Sequence, residues 1–504
     1  MRTALGKPPL SPSPLRCVSR SRLFRFPDEV TGVIRVLIRK RPAVKTARGE
    51  GKMLLIRLGF LLLALAPLPA LAQAGAPPSA FPGAEGWAAR TPGGRGGRII
   101  RVTTLNANGP GSFRAALEAQ GPRIVVFEVA GVIDMGLTTW TIDQPFLTIA
   151  GQTAPSPGIT LIRGGIDVRT HDVIVRHIRI RTGVSGQAWR SGWEADAFST
   201  VGAYNVIVDH CTMTWALDEN LSASGPRFQG NTPAEWRRGA SHDITFSYNL
   251  LAEGIAHGSH PKGEHSKGSL IHDNATGILI WRNVYAHNYE RSPLLKGGVH
   301  AAIVNNLIFD PGAQAIHYNL MDLEWGDHAH QDGQLSAVGN VLRGGFSTRE
   351  DVAFLTIGGV GDLRYHGRDN IAVDRQGRPL PMFGRYTTSP ARIIQLPRPE
   401  IWPAGLPVLP ANQVETHVLR NAGARPWDRD PHDIRVIFDV VEGRGEIIDN
   451  EAQVGGYPRA EPARAPFVEA EWDLATMEPR SGRYPGQREE AQQPTTRRDA
   501  EMRR

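Results

Sequence analysis

The chain has 504 residues, with 57 Lys and Arg against 50 Asp and Glu and a formal charge of +7. The excess is local: residues 1–52 hold 13 of the cations and 3 of the acids, Arg57 lies in an apolar run, and the remainder is net −4. Bulk attraction to nucleic acid is thereby excluded, and any polyanion site must be built locally.

Residues 1–52 are rich in Arg, Pro and Ser without periodicity and read as an over-extended start without structure. From Met53 the sequence MLLIRLGFLLLALAPLPALAQ has one Arg, an apolar run and Ala70-Leu71-Ala72, the pattern of a secretory signal over 53–72. The run is short for a membrane span and no stop-transfer pattern follows. The expectation is a secreted or periplasmic protein with no membrane partner after cleavage, working as a monomer. Cys17 precedes the signal, which leaves Cys211 and no intramolecular disulfide. Residues 73–80 read as a linker.

The stretch TPGGRGGRIIRVTTL is a Gly-rich turn and a strand; it lacks the GK[ST] ending and the GxGxxG order of a phosphate loop. Ser112 reads as an N-cap, with Phe113, Ala116 and Leu117 on one helical face, a short helix suited to covering the open end of a stack. Beyond it come short apolar strands, six of them repeating one phrase around His177, His210, Asn249, Asn283, Asn306 and Asn340. Their separations of 33, 39, 34, 23 and 34 residues fit a solenoid with insertions on one face. Asn and His tolerate left-handed backbone angles, so each is expected to mark a bend, and stacked side chains can hydrogen-bond as a ladder. His177 and His210 are read as bends rather than catalytic groups, and Cys211 as a small core residue. The expected fold is all-β: a right-handed parallel β-helix over 81–350, with a short N-terminal capping helix and an irregular C-terminal extension. Over 351–460 the pattern loosens; VETHVLRNAGARPWDRDPHDIRVIFDVVEGRGEIID suggests a helix, then strand and turn, packing back on the stack. Residues 461–504, rich in Pro, Arg, Glu and Gln, are expected to be disordered.

Two stretches carry chemistry. In WEADAFSTVGAYNVIVDHCTMTWALDENLSAS, Glu194 and Asp196 alternate, and Asp218-Glu219 follows one coil later. Crowded carboxylates repel unless a cation joins them, and hard oxygen ligands suit calcium; solvated turn carboxylates give the same spacing. Further on, HPKGEHSKGSLIHD contains Lys267, and NVYAHNYERSPLLKGG sets Arg291 and Lys296 five apart around Pro293. Acidic residues in one part of a groove and three cations in another suit a carboxylated polymer, with Arg pairing bidentately and Lys acting as a point charge.

The motifs FPGAEGW, TIAGQTAP, VIVDHCTMTWALDE, HSKGSLI and ERSPLLKGGVHAAIVNN, over roughly 81–345, resemble the pectate lyases of polysaccharide lyase family 1. AGARPWDRD…VGGYP is similar to a C-terminal part of some members. In that family a strand-DH-strand element lies 13 residues after a calcium-binding Asp, the separation of Asp196 from Asp209. The resemblance implies Glu194, Asp196 and Asp218 and/or Glu219 as calcium ligands, Arg291 as the proton-abstracting base, Lys296 as a second basic position and Lys267 as a substrate-binding Lys. A further acidic ligand, common four residues beyond the third, falls on Ser222, a departure that bears on calcium affinity. Arg227–Ala240 reads as an insertion, a lid or subsite loop. The implied reaction is β-elimination of 1,4-linked galacturonan. An Arg base has an ordinary pKa above about 12, and Lys267, Lys296 and calcium are expected to push it toward neutrality. Two alternatives stay open: a β-helix glycoside hydrolase using Asp218, Glu219 and Asp196 as its acid and base, and a non-catalytic polysaccharide-binding β-helix.

Overall fold

Short apolar strands stacked coil upon coil make the frame. The computed structural model describes residues 77–385 and 388–488; the expected start, the signal, the beginning of the linker and residues 489–504 lie outside the described residues. One face is an eleven-stranded parallel sheet running from Arg98–Val102 to Ile393–Gln395. The second and third faces are parallel ladders joined in one 17-stranded sheet, because Val129–Ile142 and Ile159–Val168 each run across both. A representative coil takes Tyr204–Asp209 on the first face, Thr212–Thr214 on the second and Leu221–Ser224 on the third, then returns to the first at His242–Ser247. This is a parallel β-helix.

Period-two patterning decides what points inward. Val175, Val208, Phe246, Ile280, Ile303 and Ala337 stand in one register column inside the stack. Ile174 and Ile207 point the other way, against Ala80, Phe81, Ala84 and Ala88. The FPGAEGW motif thus clads the first face, and the end of the expected linker is already buried at Ala80.

The bends between the first and second faces are partly as expected. His177 and His210 do adopt left-handed angles (φ 59° and 48°), and their rings stack 5.1 Å apart. The asparagines lie one position later: the left-handed residues on those coils are Tyr248, Arg282 and Asn305, with Gly339 following. Each Asn instead feeds the ladder. Asn283 Oδ1 accepts from the Asn249 backbone N–H (2.8 Å) and from its Nδ2 (3.0 Å), and the pattern repeats through Asn306, Asn340 and Asn370. Cys211 occupies the same rung, donating its N–H to Asn249 Oδ1, and its side chain is core.

The ends and outer layers bring corrections. Phe113–Glu118 is the expected helix, with Ser112 Oγ accepting from the Ala115 N–H and Phe113 packed edge-on against Phe127 and Trp140. The solenoid does not end at 350: Leu355–Gly359, Leu363–Arg368, Ile371–Val373, Phe383–Arg385 and Ile393–Gln395 extend all three ladders. The stretch read as strand after the first C-terminal helix is a second helix. Ala411–Asn421 is followed by Pro431–Glu442, capped by Asp430 and closed by Gly443 at φ 68°. Val414, Val418, Val436 and Val440 of these helices bury Leu250, Val284, Leu307 and Val341 on the outside of the second face. Buried ion pairs fasten them: Arg179 Nε lies 3.0 Å from Asp433, and Arg181 Nη2 lies 2.9 Å from Asp430 and 2.8 Å from Asp433. The expected disorder from 461 fails over 461–488. Ala463–Arg464 pairs antiparallel with Val129–Ala130, and Phe467, Trp472 and Met477 pack on Ile124, Val126 and Ala150. Three spaced apolar anchors overcome a polar composition. Among the described residues no helix is long and apolar enough to cross a membrane.

Candidate active site

The residues leading into the third face form one row, because parallel stacking repeats the same position on every coil. Asp196 precedes Phe198–Val201, Asp218-Glu219 precedes Leu221–Ser224, Lys267 precedes Leu270–Ile271, and Glu290-Arg291 precedes Leu294–Lys296. Isolated parallel bridges join Glu219 to Lys267 and Lys267 to Glu290, fixing these side chains on successive rungs. The Glu219 N–H donates to Asp196 Oδ1 at 3.0 Å. Ligand atoms of Asp196, Asp218 and Glu219 all lie within 4.8 Å of one another. Arg291 reaches back to donate to Glu219, with Nη1 3.8 Å from Asp218. Lys267 Nζ donates to Glu290 Oε1 at 2.6 Å. The row meets solvent at Asp218 and Arg291, whose side chains are 28% and 23% exposed.

Of the seven residues singled out from sequence, five therefore meet: Asp196, Asp218, Glu219, Lys267 and Arg291. Glu194 is not one of the three clustered carboxylates; its Oε2 lies 2.8 Å from His260 Nε2, which is also 3.6 Å from Asp218 Oδ2, and its side chain is 47% exposed. Lys296 points outward from its strand but pairs with Glu324, which also takes Arg227 at 3.2 Å. The insertion carrying Arg227 is a wall rather than a loose flap. Pro233–Gly239 is a helix with a Thr232/Glu235 capping box, Arg227 Nε donates to Asp273 at 2.9 Å, and Phe228 stacks on His328 at 3.8 Å.

Three groups escaped the sequence reading: Glu290, His260 and His265. Glu290 was visible as the acid beside Arg291; the histidines lie in the Lys267 loop and gave no spacing signal. His265 Nε2 lies 3.1 Å from Asp218 Oδ1, and His260 Nε2 lies 3.6 Å from Asp218 Oδ2.

The electrostatics are those of crowded acids. Burial, with the Asp218 charge next in size, pushes Asp196 up to about 7. Glu219 is pushed well up by the same two causes, despite Arg291. Burial would raise Asp218 too, but His260, His265 and Arg291 hold it below the usual carboxylate range. Buried carboxylates that cannot all ionise together fit a divalent cation: Asp196, Asp218 and Glu219 supply hard oxygen donors in one place. Arg291 goes against expectation. Burial pulls the guanidinium toward neutrality, yet Glu219, Glu290 and Asp218 outweigh it and hold its pKa above the ordinary value. Lys267 is lowered by burial, with Glu290 opposing.

No family model matches the chain. A probable pectate lyase C of Aspergillus fumigatus is 31% identical over 397 residues, 78% of this chain and 84% of the relative. Its counterpart from Aspergillus oryzae is 30% identical over 381 residues, 75% and 81% of the two chains. Among solved structures, the cedar pollen allergen Jun a 1 aligns with 16% identity and a TM-score of 0.46, covering 68% of this chain and 92% of that one. The protein is a polysaccharide lyase. It belongs to the pectate lyases of polysaccharide lyase family 1.

Proposed function

We propose that the protein cleaves 1,4-linked galacturonan by β-elimination, with Arg291 as the base and a calcium ion held by Asp196, Asp218 and Glu219. The observation that carries this reading is the contact of Arg291 with Glu219, one hydrogen bond from Asp196, on a row that also holds Lys267. When bound, the cation supplies positive charge for the substrate carboxylate and neutralises the acids that keep Arg291 protonated. Arg291 removes the C5 proton; the C5–H electron pair becomes the C4–C5 double bond as the C4–O bond breaks, and the departing oxygen takes a proton from water. Lys267 answers the uronate charge, stabilising the enolate-like state. Lys296, paired with Glu324, lines the wall beside the row and holds a substrate carboxylate once that pair opens. The signal at 53–72 supports export to the periplasm or the medium.

The test is ultraviolet absorbance of the conjugated product formed from polygalacturonate, with calcium, with a chelator, and after calcium is restored. Absorbance growth that survives chelation removes the cation from the reading; new reducing ends without absorbance remove the elimination.

A further inference from the structure

Resting on the reading of the row as the place that holds a uronate polymer, we propose that Trp189, Arg190 and Lys262 form an outer binding subsite, an indole platform flanked by two cations that takes a galacturonyl unit beyond those at the row.

Of the chain's 11 tryptophans, Trp189 alone is exposed, at 48%. It stands at the tip of the excursion that leads to Asp196, and that tip is tied down. The Arg190 N–H donates to the Gly258 carbonyl at 3.2 Å, the Gly192 N–H to the Ser259 carbonyl at 3.0 Å, and Arg190 Nε to the Pro261 carbonyl at 3.0 Å. The indole meets the His257 ring at 5.3 Å, tilted by 36°. Its Cζ2 edge lies over Gly263, 3.6 Å from the position a Cβ there would take. The fold alone would gain more by burying this indole; instead it is fixed in place with nearly half its surface in solvent. Gly263 also sets the platform beside the row. Its N–H donates to the His260 carbonyl at 3.1 Å, and the His260 ring lies 3.6 Å from Asp218.

Arg190 and Lys262 are both exposed, and among the described residues neither forms an ion pair. Two neighbouring acids are engaged elsewhere: Glu194 pairs with His260 at 2.8 Å and Asp449 with His257 at 2.6 Å. Glu264, exposed in the same turn as Lys262, still leaves the two cations in excess. A pyranose ring has an apolar C–H face that suits an aromatic plane. A uronate adds a carboxylate, which Arg binds bidentately and Lys attracts as a point charge. Exposed apolar surface rimmed by polar groups is the pattern of a ligand groove. A neutral sugar would use the indole alone, so the cations select acidic chains. The subsite lies outside the row, so its contribution grows with the length of the chain bound.

The experiment uses the full chain as wild type, Trp189→Ala, Trp189→Phe and Lys262→Gln; Arg190 is left intact because it also tethers the tip. Affinity electrophoresis through gels holding polygalacturonate, fully methyl-esterified pectin or no polymer reads binding without turnover, and initial rates are taken on galacturonate trimer and on polymer. Trp189→Ala should lose retardation by polygalacturonate and raise the polymer KM about tenfold with kcat nearly unchanged, the mark of lost uniform binding. The trimer KM should move by less than about twofold. Trp189→Phe should recover much of the loss, and Lys262→Gln should weaken retardation by polygalacturonate but not by the esterified polymer. Trp189→Ala that matches wild type on polymer overturns the inference, and so does an equal KM rise on the trimer, which would put the damage at the row. Equal loss on both polymers in Lys262→Gln overturns the assignment to uronates. Wild type that yields no elimination product ends the cleavage reading, while retardation that still depends on Trp189 upholds the subsite.

Discussion

Replacing Arg291 by Ala should move two measurements in opposite directions. The guanidinium donates to Glu219 and lies 3.8 Å from Asp218, so in the metal-free protein it occupies the carboxylates that a cation needs. A unit charge pair at about 4 Å interacts by about 4 kcal/mol at an effective dielectric of 20. Arg291 keeps 23% of its side-chain exposure, and solvent screening cuts this figure by half or more. A residual of about 1.4 kcal/mol is still tenfold in a dissociation constant. Calorimetric titration without substrate should therefore show Arg291→Ala binding calcium about tenfold more tightly than wild type. Turnover on polygalacturonate at saturating calcium should meanwhile fall by about 10²–10⁴. Calcium affinity that is unchanged or weaker in Arg291→Ala refutes the competition; an Arg291→Lys enzyme with full turnover refutes the base.

Because acidic neighbours raise the Arg291 pKa, its neutral fraction grows as pH climbs toward that value; turnover at saturating calcium should rise through the alkaline range, and a plateau from neutral pH upward would count against the base. Asp196, pushed up to about 7 in the folded protein from an ordinary value of 3.8, binds its proton more tightly when folded. Its contribution to stability is therefore present at low pH and lost as pH rises between those values. Calcium should raise the melting temperature more at pH 8 than at pH 5, and an equal rise at both would exclude this linkage. Asp433→Asn strips charge from the buried Arg179–Arg181–Asp430 network and should cost about 3–5 kcal/mol, measured by urea unfolding; a loss under 1 kcal/mol would show the network is hydrated. Trp472→Ala should cost about 3–5 kcal/mol and open 461–488 to limited proteolysis, whereas an unaltered digestion pattern would mean that Phe467 and Met477 anchor the segment unaided.

The stack was legible because its signal is repeated: the same apolar strand and polar bend recur coil after coil, and errors on one coil are outvoted by the others. What repetition hides is phase. The sequence shows a polar residue near each bend but not which of two neighbours turns, so the His and Asn series, one residue out of step, looked like one. The helix at Pro431–Glu442 was misread because RVIFDVV is rich in β-branched residues; the Asp430-Pro431 start and the Gly443 stop were the better signals. The site was legible where its residues share a row, as Asp196, Glu219, Lys267 and Arg291 do. The partners of Glu194 and Lys296, His260 and Glu324, were not legible, because they come from loops whose approach no spacing encodes. The trio's atoms, within 4.8 Å, also sit closer than the about 5–9.5 Å between the two carboxyls of a glycoside hydrolase.

The three corners of the coil are not equivalent. Between the first and second faces the chain turns in two or three residues, as from Asp209 to Thr212, and the asparagine column locks that corner. Between the second and third faces it wanders, from Arg181 to Phe198 and from Ala252 to Leu270, and these excursions supply the acids, the histidines and Lys267. The architecture thereby separates inheritance from invention: one edge keeps the coils in step, while the other can lengthen or be exchanged without disturbing that alignment. Exchanging only the exposed tip of the first of these excursions, residues 186–192, which leaves Asp196 in place, should alter the enzyme's choice of polymer and leave the scaffold's melting behaviour almost untouched.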